Sequence, residues 1–256
     1  MNSTSARYLS LAQRVIFITG GGSGIGAALT RSFHLQGARV AFIDIDEKAS
    51  RTLVKELEDE TGSSPWFGVC DIRDVQALRA TIQAVGETLG PIHVLINNAA
   101  SDDRHDWRKI EPDYWDERMN LNLRSMFFAI QAVAPQMIEA KGGSIINFGS
   151  ISVQVALGGL AAYVTAKAAA HGLTRTMARD LGAYGIRVNT LVPGCIITER
   201  QLQKWISPAD EIRIQEHQCL KLRLLPEHVA PTALFLGADD SRQITGQEFP
   251  VDGGWA

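Results

Sequence analysis

The chain has 256 residues, a formal net charge of −3 and 45% hydrophobic residues. Its length suits one large α/β domain or two small ones with a substantial buried core. The small negative charge gives no electrostatic reason to expect nucleic acid or an anionic membrane surface as a partner. The three cysteines and six histidines form no cluster with metal-ligand spacing, so we expect no metal and reduced thiols.

The sequence shows no segment that favours insertion into a membrane. Residues 1–5 contain no apolar run of signal-peptide length, and no run of about 18 apolar residues occurs elsewhere. We therefore expect a cytoplasmic protein.

Short β-branched runs alternate with helical stretches from one end of the chain to the other. This alternation indicates βαβ units and predicts a seven-stranded, parallel, doubly wound Rossmann-type sheet with helices on both faces. The predicted strands are 15–19, 40–43, 66–70, 94–96, 144–148, 188–191 and 248–251. The predicted helices are 25–36, 47–59, 75–88, 112–139, 161–182 and 227–236.

The chain is predicted to form a single domain, because no change of composition and no Pro/Ser-rich linker divides it. One long connection, 194–226, lacks a clear strand or helix pattern, although 208–220 could be helical. Long connections of this kind usually form lids or binding loops. We expect a substrate loop at 194–226.

A glycine-rich turn, 19–26, follows the first predicted strand and opens into a helix. Its glycines let the backbone approach a pyrophosphate, which the helix N-terminus favours electrostatically. Such a turn can also be merely structural, but its place at the first βα junction favours a dinucleotide site. The residues expected at the cofactor are Gly20, Ser23, Gly24, Ile25 and Gly26.

Short polar residues follow the next three predicted strands. Asp44 ends the second, where a carboxylate would bind both adenosine ribose hydroxyls and repel a 2′-phosphate, so NAD is favoured over NADP. A solvated acidic turn is the alternative. Asp71 could reach the adenine amino group, and Asn98 ends the fourth strand. Ligands bind at the carboxyl edge of such sheets, so we include the neighbouring Ile45 and Ile72 in the cofactor site.

Tyr163 and Lys167 are four residues apart on a predicted helix and therefore share one face. An ammonium about 4 Å from a phenol favours phenolate by up to about 4 kcal/mol at an effective dielectric of about 20. That effect would bring a tyrosine into the useful range for general acid–base catalysis. Ser150 lies thirteen residues upstream of Tyr163. Chance pairs of this spacing are common, so the prediction depends on the rest of the chain.

Over essentially its whole length the chain resembles the short-chain dehydrogenase/reductase family. It departs from the family pattern at Ala100, where glycine is usual, and at Thr165, where serine is common. The matching elements are the 19–26 turn, Asp71, 97–99, Asn122, Ser150, Tyr163, Lys167, Asn189, 193–194 and Thr198.

The resemblance implies a role for each matching residue. Tyr163 would be the acid/base, and Lys167 would lower its pKa and hold the nicotinamide ribose. Ser150 would position the reacting oxygen, and Asn122 would anchor a water-linked proton path to Lys167. The resemblance also implies a homotetramer. Along the nicotinamide it places Pro193, Gly194, Ile196 and Thr198.

Several segments are closer to the bacterial sugar 1-dehydrogenases of this family, which act on galactose, arabinose or xylose. The resemblance implies oxidation of an aldose, D-galactose above others, at its anomeric carbon. Another alcohol or ketone (a polyol, a 3-oxoacyl thioester or a steroid) is the alternative, and a non-catalytic NAD-binding sensor is a further one. The closer segments are 102–105, 120–124, 147–152, 218–221 and 252–255.

A sugar is covered with hydroxyls, so its site needs convergent polar groups. The segment 101–108 is dense in them, although it could also be a charged surface loop in which Arg104 and Asp103 form a salt bridge. The residues expected at the substrate are Asp102, Arg104, His105, Ser150, Ser152, Gln154, Tyr163, Gln201 and Trp205.

Overall fold

The computed structural model describes residues 6–256, and residues 1–5, on which the expectation about a signal peptide depended, lie outside this range. Seven strands of the described chain form one sheet in the order 3-2-1-4-5-6-7, with every neighbouring pair parallel. The prediction of a seven-stranded, doubly wound parallel sheet is confirmed. The strands are β1 Val15–Thr19, β2 Arg39–Asp44, β3 Trp66–Val69, β4 Ile92–Asn97, β5 Gly143–Phe148, β6 Ile186–Pro193 and β7 Glu248–Val251.

Helices connect the strands on both faces of the sheet. The predicted helix 112–139 is divided by a π-type turn, Asn120–Arg124, and the 194–226 connection contains two helices, the first of which the sequence pattern missed. The helices are α1 Gly24–Leu35, α2 Glu47–Thr61, α3 Val75–Leu89, α4 Pro112–Met119, α5 Ser125–Glu139, α6 Ala161–Leu181, α7 Glu199–Lys204, α8 Pro208–His217 and α9 Pro226–Gly237.

Aspartates begin the first two crossover helices after β2. The Asp46 side chain caps α2 by accepting the Ala49 amide, and Asp74 caps α3 in the same way. These oxygens satisfy amides that have no partner inside the helix. At its other end α2 stops at Gly62, whose φ of 74° is left-handed and favours glycine. Asp46 and Asp74 therefore mark where α2 and α3 begin, and Gly62 marks where α2 ends.

Alternate residues of β1 point into two separate apolar clusters. Ile16 and Ile18 belong to a cluster that includes α1 and α9, whereas Val15 and Phe17 belong to one that includes α3 and α5. Side chains alternate between the two faces of a strand, so the sheet lies between two helical layers with a core on each side. All five residues of β1 are buried, as expected of a strand covered on both faces.

The strand order reverses direction between β1 and β4, which creates a crevice at their carboxyl ends. The register pairs Thr19 with Ile43 on one side and with Asn97 on the other. The first βα turn, the end of β2 and the end of β4 therefore meet at one edge of the sheet.

None of the helices in residues 6–256 is long and apolar enough to span a membrane. Within the same range, no three His, Cys, Asp or Glu side chains come together as a candidate metal site.

Candidate active site

A cleft of about 1120 Å³ runs along the carboxyl edge of the sheet, over the crevice between β1 and β4. Its walls come from the first βα turn, the ends of β2 to β6, the segment 101–104 and the segment 193–203. Every residue predicted for the cofactor lines this one space, from Gly20 in the first turn to Thr198 before α7.

The first βα turn leaves no room for side chains on its inner surface. Gly20 has a φ of 65°, and a Cβ on Gly26 would lie 1.7 Å from the Gly20 carbonyl oxygen. The Ile43 carbonyl holds the turn by accepting the amides of Gly20 at 2.7 Å and Gly21 at 3.1 Å. No side chain therefore covers the backbone where α1 begins, and this arrangement fits the diphosphate of a dinucleotide.

Asp44 stands at the end of β2 with both carboxylate oxygens held by the backbone. Oδ2 accepts the Gly22 amide at 2.9 Å and Oδ1 accepts the Asp46 amide at 3.0 Å. Each oxygen keeps a further lone pair for a hydroxyl in the cleft, which Asp44 lines. The carboxylate thus fits a ribose diol.

Arg73, which the sequence analysis did not single out, occupies the cleft beside Asp71. Its Nε donates to Asp71 Oδ1 at 2.9 Å, and its Nη1 donates to Glu117 at 2.6 Å. The hydrogen bonds from Arg73 hold the pKa of Asp71 below its usual range despite partial burial. An adenine amino group would have to share Asp71 with this guanidinium. Asn98 is turned inward, where its amide donates to the carbonyl of Gly20 at 2.8 Å and so supports the turn.

Tyr163, Lys167 and Ser150 lie together on one wall of the cleft. The Lys167 side chain is buried, and its ammonium donates to the Phe148 carbonyl at 2.7 Å while lying 5.6 Å from the Tyr163 ring centroid. The Ser150 hydroxyl accepts the Ser152 amide at 3.1 Å, which orients its oxygen at the end of β5.

Burial is the dominant influence on both ionisable groups. Burial and the nearby Asp102 carboxylate raise the pKa of Tyr163 to about 12, and the Ser150 hydroxyl opposes this shift. Burial lowers the pKa of Lys167 to about 8. We expected Lys167 to lower the pKa of Tyr163. Helical spacing fixes the shared face of two side chains but not the direction of their ends, and here the ammonium is turned toward a backbone carbonyl.

The Tyr163 part of the cleft has a polar wall, residues 101–104, which follows β4. Asp102 Oδ2 accepts a hydrogen bond from Gln201 Nε2 at 2.7 Å, and both side chains line the cleft. Arg104 lines it too, 4.0 Å from Asp102. The buried Ser152 hydroxyl, also at the cleft, has no hydrogen-bond partner within residues 6–256. A ligand rich in hydroxyls would meet donors and acceptors here.

The family model described as Enoyl-(Acyl carrier protein) reductase matches residues 20–256. A D-xylose 1-dehydrogenase of Caulobacter vibrioides is 48% identical over 98% of this chain and 99% of its own length. A probable galactose dehydrogenase, GalD, of Rhizobium meliloti is 44% identical over 99% of both chains. The chain belongs to the short-chain dehydrogenase/reductase family. It is therefore an oxidoreductase that acts on CH–OH groups and binds a nicotinamide cofactor.

Two solved structures share the fold of this dehydrogenase. A 7 alpha-hydroxysteroid dehydrogenase complexed with NADH has a TM-score of 0.91, 32% identity and 96% coverage of both chains. A blue fluorescent protein from a metagenomic library, in complex with NADPH, has a TM-score of 0.88 and 33% identity, with coverage of 96% of this chain and 99% of its own. Both forms of the cofactor therefore occur in proteins of this fold.

Four predicted site residues of this dehydrogenase do not line the cleft. Asn122 is buried in the π-type turn, where its amide bonds the backbone of Ser101 at 2.8 and 3.1 Å. Its side chain thus holds the polar wall, and its part in a water-linked path to Lys167 stays a prediction. Gln154 folds back onto its own turn, donating to the Ser150 carbonyl at 3.0 Å when its amide is oriented to satisfy both ends.

The other two are held by neighbouring elements. His105 bonds the Tyr114 hydroxyl at 3.1 Å and accepts the Ala162 amide at 3.4 Å, so it anchors the start of α6. The indole nitrogen of Trp205 is buried without a partner in the described chain, and Arg104 stacks on its ring at 5.6 Å. The tryptophan that lines the cleft is instead Trp255, near the end of the chain.

Proposed function

We propose that the protein is an NAD-dependent aldose 1-dehydrogenase. The observation that carries the proposal is the Asp102–Gln201 pair in the same cleft as Ser150 and Tyr163. A carboxylate and an amide facing a catalytic tyrosine suit a small polyhydroxylated substrate better than an acyl chain or a steroid. The two relatives named for D-xylose and galactose support the same substrate class.

The choice of NAD over NADP is supported by Asp44. Both of its oxygens are fixed by backbone amides, so the carboxylate cannot easily turn away from the ribose. A 2′-phosphate there would face a negative charge at close range. Arg73 does not offset this charge, because its guanidinium already bonds Asp71 and Glu117.

Tyr163, Ser150 and Lys167 would each have a separate role in the reaction. Tyr163, as phenolate, removes the proton of the C1 hydroxyl, and the Ser150 hydroxyl orients that oxygen. When bound, the nicotinamide supplies the acceptor for the hydride that leaves C1. Lys167 would hold the nicotinamide ribose and keep a cation near the phenol. Because burial raises the pKa of Tyr163 to about 12, oxidation should become faster as the pH rises.

The individual sugar belongs to the proposal as well. D-Galactose remains the first candidate and D-xylose the second, the latter on the strength of the relative at 48% identity. The two sugars differ in the configuration at C4 and in the C6 hydroxymethyl group. Buried polar groups that pair with one hydroxyl reject sugars that lack it, so one of the two should be clearly preferred.

The test is the initial rate of NADH formation in mildly alkaline buffer. The panel contains D-galactose, D-fucose, L-arabinose, D-xylose, D-glucose and galactitol, each with NAD and with NADP. We expect a rate with at least one aldose and NAD, little with NADP and none with the polyol. Tyr163→Phe should lower kcat by about 10²-fold or more, because it removes the general base.

Three results would contradict parts of the proposal. If the wild-type enzyme binds NAD but oxidises none of the aldoses, the sugar substrate is refuted, whereas the assignment to the family is unaffected. Equal or better rates with NADP would refute the role of Asp44. Activity on galactitol alone would favour a polyol as the substrate.

A further inference from the structure

Helix α7 borders the cleft but has little apolar contact to hold it there. It has only six residues, none of them buried. Helices shorter than about 12 residues are marginal by themselves and depend on tertiary contacts. Buried Ile197 precedes α7 and buried Ile206 follows it, so the two ends of the segment are anchored while the helix between them is not. Its position must therefore depend on polar contacts.

Those polar contacts all go to the 101–104 wall. Arg200 Nη2 donates to Asp103 Oδ1 at 2.9 Å and to Ser101 Oγ at 3.1 Å. The next residue, Gln201, donates to Asp102 at 2.7 Å. Arg200 and Gln201 thus make the side-chain hydrogen bonds that hold α7 to this wall, and Lys204 adds a longer ion pair with Asp103 at 3.8 Å.

Asp103 is itself held firmly from the opposite side. Its Oδ2 accepts the Ser101 hydroxyl at 2.8 Å and Arg118 Nη1 at 3.2 Å. Arg118 belongs to α4 and keeps only 13% of its side chain exposed. Asn122 fixes the Ser101 backbone from the adjoining π-type turn. The carboxylate that receives Arg200 is therefore also held by contacts that do not involve α7.

Asp103 also stays ionised at any pH used for the reaction. Burial opposes its ionisation, but the Ser101 hydroxyl and the charges of Arg200 and Lys204 outweigh burial and hold its pKa below the usual range. Its negative charge is matched by cations on two elements, Arg118 on α4 and Arg200 and Lys204 on α7.

We propose that Asp103 and Arg200 form a latch that holds α7 against the polar wall and thereby sets the affinity for the sugar. This inference rests on the proposed function. The latch keeps Gln201 beside Asp102, so the pair that faces the sugar hydroxyls exists only while the latch is closed. Arg200 is a positioning residue in this scheme, and the sugar contacts are made by its neighbours.

The first test compares Arg200→Met with Arg200→Lys and with Lys204→Met. We expect the sugar KM of Arg200→Met to rise about fivefold to tenfold, because one partly exposed, charge-assisted hydrogen bond is lost. Its kcat should stay within about twofold of the wild-type value. Arg200→Lys keeps the charge and should retain most of the affinity. Lys204 lies on the same helix but reaches Asp103 only at 3.8 Å, so Lys204→Met is the matched control. The dissociation constant for NAD should be unchanged throughout.

A double-mutant cycle with Asp103→Asn tests whether the two residues act as one unit. If they do, Arg200→Met should add little to the rise in sugar KM that Asp103→Asn already causes. If the two substitutions raise KM independently, so that their effects multiply in the double variant, the latch is overturned. An unchanged KM in Arg200→Met, or a fall in its kcat as large as the rise in its KM, would also overturn the latch.

Amide hydrogen exchange of the 199–206 peptide provides a readout that needs no sugar. It should be faster in Arg200→Met than in the wild type or in Lys204→Met, because α7 then opens more often. Equal exchange in the three proteins would overturn the latch even if the enzyme oxidises aldoses. Faster exchange in Arg200→Met, together with a wild type inactive on every sugar, would support the latch and refute only the assigned substrate.

Discussion

Asp102 and Asp103 are adjacent carboxylates that act on different parts of the site. Asp103 is hydrogen-bonded to the guanidinium groups of Arg118 and Arg200. Asp102 hydrogen-bonds the neutral Gln201, and its nearest cations lie farther away, Arg200 at 3.9 Å and Arg104 at 4.0 Å. The charge of Asp102 raises the pKa of Tyr163, in the same direction as burial, whereas the charges of Arg104 and Arg200 oppose it. Of the two neighbouring aspartates, the one without a hydrogen-bonded guanidinium is therefore the one that influences Tyr163.

Asp102→Asn should move the pH profile of kcat to lower pH. The removed charge disfavours phenolate, so its loss lowers the pKa of Tyr163, by about half a unit if the charge acts over about 10 Å at an effective dielectric near 40. The measurement is kcat between pH 6 and 10 at saturating sugar and NAD. Asp103→Asn is the matched control and should leave the profile in place while raising the sugar KM. Identical profiles for wild type and Asp102→Asn would refute the assignment.

At the scale of the elements, strands were easier to predict from the sequence than short helices. Every strand was found because buried β-branched runs such as 15–19 carry their own pattern. Helix α7 was not predicted, because it has only six residues and none of them is buried. Its sequence therefore has no periodic pattern of apolar residues. The direction of single side chains was equally hidden, as with Trp205, which packs inward, and Trp255, which lines the cleft.

A chain of buried polar side chains connects helix α6, which carries Tyr163, to the sheet. Asn97 donates to Asn147 at 2.9 Å, Asn147 donates to Thr174 at 2.9 Å, and Thr190 bonds Thr174 at 2.7 Å. These side chains come from β4, β5, β6 and α6, and none is more than 4% exposed. Thr174 of α6 thus forms hydrogen bonds to side chains on two strands, β5 and β6.

Thr174→Val should lower the free energy of unfolding by about 1–3 kcal/mol. The substitution keeps the shape but leaves the Asn147 amide and the Thr190 hydroxyl buried without their partner, which costs the desolvation of those groups. Urea unfolding measures the change. Thr176 is exposed on the same helix, so Thr176→Val controls for the helix propensity of valine. A difference below about 0.5 kcal/mol between the two variants would show that the chain of hydrogen bonds does not stabilise the fold.

At the scale of the whole molecule, the fold was predictable because each strand and helix has a pattern within its own segment. The contacts of the polar wall could not be predicted, since they join residues that are far apart in the sequence. Arg200 and Asp103 are 97 residues apart, and neither segment has a sequence pattern that indicates the other as its partner. The sequence predicted roles for Tyr163, Lys167 and the glycine turn because spacing within one element indicates their chemistry. It could not show which of several charged residues near the cleft would pair with one another.

Two histidines at the end of the molecule opposite the cleft make its stability depend on pH. His34 is buried in the last turn of α1, and burial lowers its pKa. His93, in β4, accepts the Val15 amide through Nδ1 at 3.3 Å, and burial together with the charge of Arg14 lowers its pKa as well. The folded state therefore holds both imidazoles neutral where the unfolded chain would already bind protons.

The unfolding free energy should fall as the pH drops through about 6.5, the pKa of histidine in an unfolded chain. Both folded pKa values are lowered, so this stability is complete above that pH and is lost below it, with a slope of at most about 1.4 kcal/mol per pH unit for each histidine. Urea unfolding at pH 7.5 and 5.5 measures the loss, which His34→Gln and His93→Gln should each reduce. His217 is exposed on α8, so His217→Gln should leave the loss unchanged. If the wild type is equally stable at both pH values, the two buried imidazoles do not control its acid sensitivity.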